Sequence, residues 1–252
     1  MFYGKFTPEN REAFQKFLAE LPQMFGKVYA QDNLIALQRS AGFLQDKTFR
    51  QAFGDSIENE QEKSLAWRLH TLIWAAQHCL NINGDFVECG VYKGFSFSVI
   101  TAFLQFETIP KHLYLYDTYG GIPEAFNSEK RSNRIYEKET AEDPDAIYKH
   151  VVKRFQQYPN VTLVRGIVPD TFTDTCPEEI SFLHIDMNSA KSEMAVLTSL
   201  FDRVTPGGII IFDDYGWTGY VQQKIAEDEF MAQRNHSILE LPTGQGMVIK
   251  QA

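Results

Sequence analysis

At 252 residues the chain is long enough for one well-buried α/β core with extensions and short for two catalytic domains. Hydrophobic residues at 44% and charged residues at 23% match ordinary globular proteins and exclude a disordered or fibrous chain, while a formal charge of −9 sets the surface against nucleic-acid phosphates and anionic membranes and points to a small-molecule partner. The three cysteines, Cys79, Cys89 and Cys176, have the spacing of neither a zinc site nor a disulfide framework, as expected in a reducing cytoplasm.

The first residues, MFYGKFTPENREAF, lack the apolar centre of a signal peptide, and no stretch approaches the roughly 20 apolar residues of a membrane span. A cytoplasmic protein is the expectation. Residues 8 to 80 carry apolar positions at helical spacing, Phe14, Phe17, Leu18 and Leu21 first and Leu65, Leu69, Leu72 and Ile73 later. They predict a helical N-terminal extension, 1–80, ahead of a main domain over 81–252, and such an extension suits a homodimer. Within it, Ser56 or Asp55 is placed to cap a helix with Glu58 and Glu60 in its first turn that runs to about Cys79.

From Asp85 short apolar runs alternate with helical stretches, which is how a parallel sheet with crossover helices reads in sequence. The predicted strands are DFVECG, HLYLYD, NVTLVRG, ISFLHID and GGIIIFDD, and the helices are Phe95 to Phe106, Asp145 to Gln157, Ser192 to Phe201 and Tyr220 to Met231. SILELP and GMVIKQA, separated by Thr243, Gly244 and Gln245, complete the sheet as an antiparallel edge hairpin. The fold class is α/β, a Rossmann-like, mostly parallel sheet with helices on both faces. Residues 122–148, IPEAFNSEKRSNRIYEKETAEDPDAIY, break the alternation with a polar, charge-dense stretch that reads as a lid insertion or a disordered segment.

The first chemical motif is Glu88-Cys89-Gly90-Val91-Tyr92-Lys93-Gly94, between a strand and a helix. Gly90 allows a tight turn, and Gly94 allows close backbone approach to a ligand at the helix N-terminus. Tyr92 stands where the dinucleotide pattern G-x-G-x-x-G needs glycine. That argues against a nicotinamide-dependent oxidoreductase and for a nucleoside cofactor carrying a carboxylate and an ammonium, the latter neutralised by Glu88. Asp117 ends the next strand, where an acidic side chain accepts hydrogen bonds from both ribose hydroxyls; the alternative is an exposed loop aspartate. Asp186 ends a further strand and Asp213-Asp214 end its neighbour. Three carboxylates converging there would repel, so a positive charge belongs among them, and all-oxygen ligation selects magnesium, with manganese or calcium as substitutes. The alternative is an Asp213 that caps the following turn and an Asp214 that faces solvent. Lys191 and His184 are secondary candidates, and Tyr119, Tyr215 and Trp217 flank the site as pocket walls or as packing. A non-enzymatic metal or nucleoside sensor, with 122–148 as its partner-binding switch, stays open.

These motifs resemble the macrocin O-methyltransferase (TylF-like) family over roughly residues 65 to 250. GDFVECGVYKGFSF, YDTYGGIPE, RGIVPDTF and LHIDMNSAKSEMAVLTSLFDRVTPGGIIIFDDYG stand in the family's order and spacing. The resemblance implies a seven-stranded sheet and a class I, S-adenosylmethionine-dependent, magnesium-dependent O-methyltransferase acting on a hydroxyl of a small natural product, a sugar or diol. It implies that Glu88, Gly90, Tyr92, Gly94, Ser96, Asp117, Thr118 and Asp186 bind the cofactor, that Asp186, Asp213 and Asp214 bind magnesium, and that Asp186 is the catalytic base. Certain members carry a catalytic histidine three residues after the first metal aspartate, where this chain has Ser189. The base therefore falls to Asp186, with Lys191 or His184 in reserve. Residues 1 to about 60 and 122–148 match no family pattern and are the regions expected to shape the acceptor pocket.

Overall fold

The N-terminal section is only partly helical. A computed structural model describes residues 1–126 and 143–252, and it opens with α1 (Pro8–Phe25), capped by the Thr7 side chain, which accepts from the Asn10 amide at 3.2 Å. A two-stranded hairpin follows, β1 (Val28–Gln31) and β2 (Leu34–Leu37). Its turn is Asp32-Asn33, with φ of 51° and 56°, the left-handed pair that a two-residue type I′ turn demands. The helix expected from Ser56 or Asp55 to Cys79 is split into α3 (Glu60–Ser64) and α4 (Ala66–Cys79), and a separate helix, α2 (Lys47–Ser56), precedes it. Asn59, not Ser56 or Asp55, caps α3, accepting from the Glu62 amide at 3.0 Å while the Glu62 carboxylate accepts from the Glu58 amide at 2.6 Å. Ser56 instead ends α2, whose cap is Asp46.

The main sheet follows the predicted runs. Its strands are β3 (Asp85–Cys89), β4 (Leu113–Asp117), β5 (Val161–Arg165), β6 (Ile180–Ile185), β7 (Val204–Phe212), β8 (Leu239–Glu240) and β9 (Gly246–Ile249), and its helices are α5 (Phe95–Leu104), α6 (Pro144–Phe155), α7 (Ala190–Leu200) and α8 (Val221–Ala232). The seven strands lie in the order β5-β4-β3-β6-β7-β9-β8. β3 to β7 pair in parallel, and β9 runs antiparallel to β7 and β8. Period-2 alternation divides the strands between two cores. Phe86, Leu113, Leu115, Phe182 and Ile209 pack with Leu69, Leu72 and Ala76 of α4 and with α5. Val87, Tyr116, Leu183, Ile185 and Ile210 pack with Val196, Leu197 and Leu200 of α7. The N-terminal helices therefore share a core with the sheet, and helices cover both faces. Most of the expected insertion, residues 127–142, lies outside the described residues. Among the described residues no helix is long and apolar enough to cross a membrane.

Strand order reverses between β3 and β6, and the strand tips on either side form the crevice where ligands bind in open α/β sheets. The tips are stitched in one row. The Gly90 amide donates to Tyr116 at 2.9 Å, the Asp186 amide to Cys89 at 2.9 Å and the Asp213 amide to Ile185 at 3.0 Å. Gly90 is essential to this closeness: its φ is +94°, and a Cβ there would lie 1.8 Å from the Asp186 carbonyl oxygen. Gly90→Ala is expected to cost ~3 kcal/mol of stability in chemical denaturation, through steric conflict and left-handed strain. A loss below about 1 kcal/mol would show that the two tips are not locked together.

Candidate active site

One cavity of about 680 Å³ runs along these tips. One end of it is built on the glycine turn. The Asp117 carboxylate points back into that turn, its Oδ2 accepting from the Val91 and Tyr92 amides, both at 2.7 Å, and its Oδ1 from the Tyr119 amide at 2.6 Å. Burial pushes its carboxyl up in spite of these backbone donors. With two lone pairs per oxygen, Asp117 keeps room for at most one further donor, so it is first a brace of the turn. Thr118 folds its hydroxyl into its own loop, donating to Gly121 at 2.8 Å and accepting from the Gly120 amide at 3.1 Å. Glu88, Gly90, Tyr92, Ser96, Asp117, Thr118 and Asp186 all line the cavity. Gly94 is the exception: a Cβ there would sit 2.7 Å from the Phe155 ring, so its missing side chain admits α6 rather than a ligand.

Glu88 is buried, with Oε1 at 3.0 Å from His184 Nδ1 and Oε2 without a hydrogen-bond partner among the described residues. Burial raises its carboxyl to about 7 against the pull of His184. His184 is fully buried between Glu88 and Asp213, its Nε2 3.5 Å from Asp213 Oδ1. Burial opposes its charge, but Asp213 and Glu88 outweigh that and raise it to about 10. His184 is thus an interior imidazolium bridging two acids, not a base facing substrate. Lys191 is exposed on the first turn of α7 and does not line the cavity. Ser189 caps that helix and donates to the Phe126 carbonyl at 2.8 Å. Trp217 and Tyr119 line the cavity, whereas Tyr215 is packed behind it with its hydroxyl on Asp228 at 2.7 Å.

Part of the positive charge that the three aspartates require comes from the protein itself. Arg68 of α4 is buried, its Nε 2.7 Å from Asp32, its Nη1 2.5 Å from Asp213 Oδ2 and 3.7 Å from Asp214, and its plane 4.9 Å from the Trp217 ring. Gln245 donates to the other Asp213 oxygen at 2.9 Å. Burial alone would raise the Asp213 carboxyl, but Arg68 and His184 reverse it and hold it below the ordinary range. Sequence reasoning missed Arg68, Asp32 and Gln245. The available signal was a lone arginine on the apolar stripe Leu65, Leu69, Leu72.

Among the described residues no three His, Cys, Asp or Glu side chains are grouped to hold a metal ion, so the expected three-aspartate cage is not formed. Asp213 has one oxygen on Arg68 and the other on Gln245. Asp186 and Asp214 remain, and neither has a full counter-charge: burial, then Asp213 and Asp214, push Asp186 well up, and burial and Asp213 raise Asp214 to about 7 against the pull of Arg68, so both favour the protonated form until a cation joins them. Two buried, hard-oxygen donors of this kind suit magnesium, which takes one or two carboxylates and completes its shell with water and substrate oxygens.

The profile of the macrocin-O-methyltransferase (TylF) family matches residues 61–240. The chain belongs to that family. Mycinamicin III 3''-O-methyltransferase of Micromonospora griseorubida is 26% identical over 153 residues, 55% of this chain and 60% of its own length. Demethyldecarbamoylnovobiocin O-methyltransferase of Streptomyces niveus is 26% identical over 141 residues, 54% of each chain. The chain thus spans less than two thirds of these curated relatives. The solved O-methyltransferase NovP superposes with a TM-score of 0.61 at 21% identity, covering 73% of this chain and 80% of its own, which is a likeness of fold. Within this TylF-family chain the matched stretch holds Arg68, Asp117, Asp186, Asp213 and Asp214, while Tyr3 and Asp32, which also line the cavity, precede it.

Two outcomes test the charge arrangement. Arg68→Met strands Asp32 and Asp213 in the interior and is expected to cost about 3–5 kcal/mol, with Asp213→Asn recovering part of that loss in the double variant. The second is the pH profile of the protein freed of metal by chelation. Glu88 and Asp214, both raised to about 7, and His184, raised to about 10, bind protons in the folded state that the unfolded chain releases, so stability rises as pH falls from about 9 toward 5. Asp213, depressed, acts oppositely and withdraws stability below about pH 4. Denaturation midpoints higher at pH 5.5 than at 8.5, with a drop below 4, are expected; a flat profile would mean the network is not buried.

Proposed function

We propose that this chain is a class I S-adenosylmethionine-dependent O-methyltransferase, magnesium-assisted, that methylates a hydroxyl on the sugar or diol portion of a small natural product. The observation that carries this reading is the single cavity joining the Asp117-braced glycine turn to the Asp186 and Asp214 carboxylates. Family membership and the names of the curated relatives support the same reaction class and a natural-product acceptor. A second copy of the chain fits as partner through α1, which leaves Phe17 and Met24 exposed.

When bound, S-adenosylmethionine supplies an electrophilic methyl on a sulfonium, and a magnesium ion on Asp186 and Asp214 supplies Lewis-acid polarisation of the acceptor hydroxyl. The chain's own residues do the remaining work. Glu88 Oε2, buried and unpartnered, receives an ammonium, and Asp117 Oδ1 receives one ribose hydroxyl. Asp186 stands at the tip of β6 between the two ends of the cavity, placed to take the proton of the attacking oxygen. Arg68 fixes Asp213, and so the conformation of its neighbour Asp214. Tyr119 and Trp217 wall the cavity and keep water from the alignment that in-line transfer needs.

Calorimetry with S-adenosylhomocysteine is expected to show binding to the wild type and at least about tenfold weaker binding to Asp117→Ala, a loss near 1.4 kcal/mol. Asp186→Asn should leave that affinity intact and lower kcat by about 100-fold or more. Chelation should abolish turnover reversibly; methylation that persists in chelator would remove the metal from the proposal, and absence of S-adenosylhomocysteine binding would end it.

A further inference from the structure

Outside the cavity, between α7 and α8, lies a second group of acids. Glu193 of α7 and Gln223 and Glu227 of α8 are 2%, 2% and 1% exposed, and none of them lines the cavity. Glu193 Oε1 accepts from Gln223 Nε2 at 2.5 Å and from the Met187 amide at 3.4 Å. That one oxygen therefore joins the head of α8, which follows the cavity-lining Trp217, Gly219 and Tyr220, to the peptide unit directly after Asp186. The second oxygen is placed differently. Glu193 Oε2, Glu227 Oε2 and Gln223 Oε1 are buried without a hydrogen-bond partner among the described residues, and the two carboxyls lie within hydrogen-bonding reach of each other. Two carboxylates offer only lone pairs and cannot bond; one proton between them makes a donor and an acceptor. Burial, then Glu227, push the Glu193 carboxyl well up, and burial raises Glu227 to about 7 against its hydrogen bond with Glu193. The other charges that bear on the pair are Asp214 at the tip of β7 and Asp228 and Lys224 on α8. A divalent ion suits the cluster less well, since it asks for about six oxygens, several of them from water, and these side chains are closed to solvent.

We propose that Glu193 is a neutral acid, donating its Oε2 proton to Glu227 Oε2, and that it is a positioning residue, locking the head of α8 to the Asp186–Met187 peptide and so holding Asp186 against the Trp217–Tyr220 wall. This role rests on the reading of Asp186 as the base. Protonated at Oε2, Glu193 needs no counter-charge, and its Oε1 stays a carbonyl acceptor for both of its donors. Two ionised carboxylates in the same place would have lost their water and gained repulsion.

Nuclear magnetic resonance of the full chain at about pH 8.5, with glutamate carboxyl carbons labelled in 13C and amides in 15N, makes the test, because ordinary glutamates are fully ionised there. A glutamate carbon with the chemical shift of a neutral acid is expected, and Glu193→Gln should remove it. That variant puts an amide N–H where the acid O–H stood, so it should keep the wild-type denaturation midpoint and leave the Asp186 and Met187 amide signals in place. Glu193→Leu should lower the midpoint and shift the Asp186, Met187 and Tyr220 signals, while Val91 and Tyr92 on the glycine turn hold theirs; general loosening would move all of them. Should the leucine variant not fold, the glutamine variant and the neutral-acid signal decide. No neutral-acid signal lost with Glu193, or a clearly lower midpoint in Glu193→Gln, as a cation between two ionised carboxylates would require, overturns the proposal. So does an unmoved Met187 signal in Glu193→Leu. Calorimetry with S-adenosylhomocysteine on the wild type reports separately on the methyltransferase reading, so the two failures are told apart.

Discussion

A buried guanidinium governs the geometry of this cavity. An arginine is desolvated only where carboxylates repay the loss, and carboxylates crowd one another only where a cation separates them. Arg68 satisfies both conditions between Asp32 and Asp213. Because Asp32 sits on the hairpin turn and Asp213 on the tip of β7, the same ion pairs fasten the N-terminal segment across the sheet edge. Breaking either pair would leave a charge without water or partner, which is why the arrangement is rigid rather than adaptable.

The glycine-turn end obeys a different logic, in which a side chain holds the backbone in shape. Asp117 spends most of its acceptor capacity on the amides of Val91, Tyr92 and Tyr119, so the glycine turn is shaped before any ligand arrives. The two ends are not independent. Glu88 faces the glycine-turn end, Asp213 the other end, and the His184 ring spans them from behind the cavity wall.

How much of this was legible in the residues depended on range. The parallel strands were plain because their apolar runs are nearly unbroken, as buried strands must be, and the strand ends then placed Asp117, Asp186, Asp213 and Asp214 at one edge. The edge hairpin and four crossover helices followed within a few residues of their observed bounds. What failed was long-range or masked by periodicity. The β1–β2 hairpin offers only four-residue strands beside helices, and its clearest mark, Asp32-Asn33, is a turn signal easily absorbed into a helical reading. The repulsion argument correctly demanded a cation at the aspartates, but a sequence cannot reveal that an arginine from a helix well over a hundred residues earlier provides it. Gly94 was misread for a related reason, since the ring it accommodates belongs to α6, remote in the chain.

The hairpin turn has a role out of proportion to its length. Asp32 grips Arg68 and Asn33 grips Tyr3, so two adjacent residues set both an electrostatic and an aromatic element of one wall. Neither belongs to the stretch shared with the TylF family. The cavity wall is thereby drawn from two separable pieces of chain, and the short ribbon can change its side chains while the sheet whose strand tips carry the aspartates keeps its own contacts.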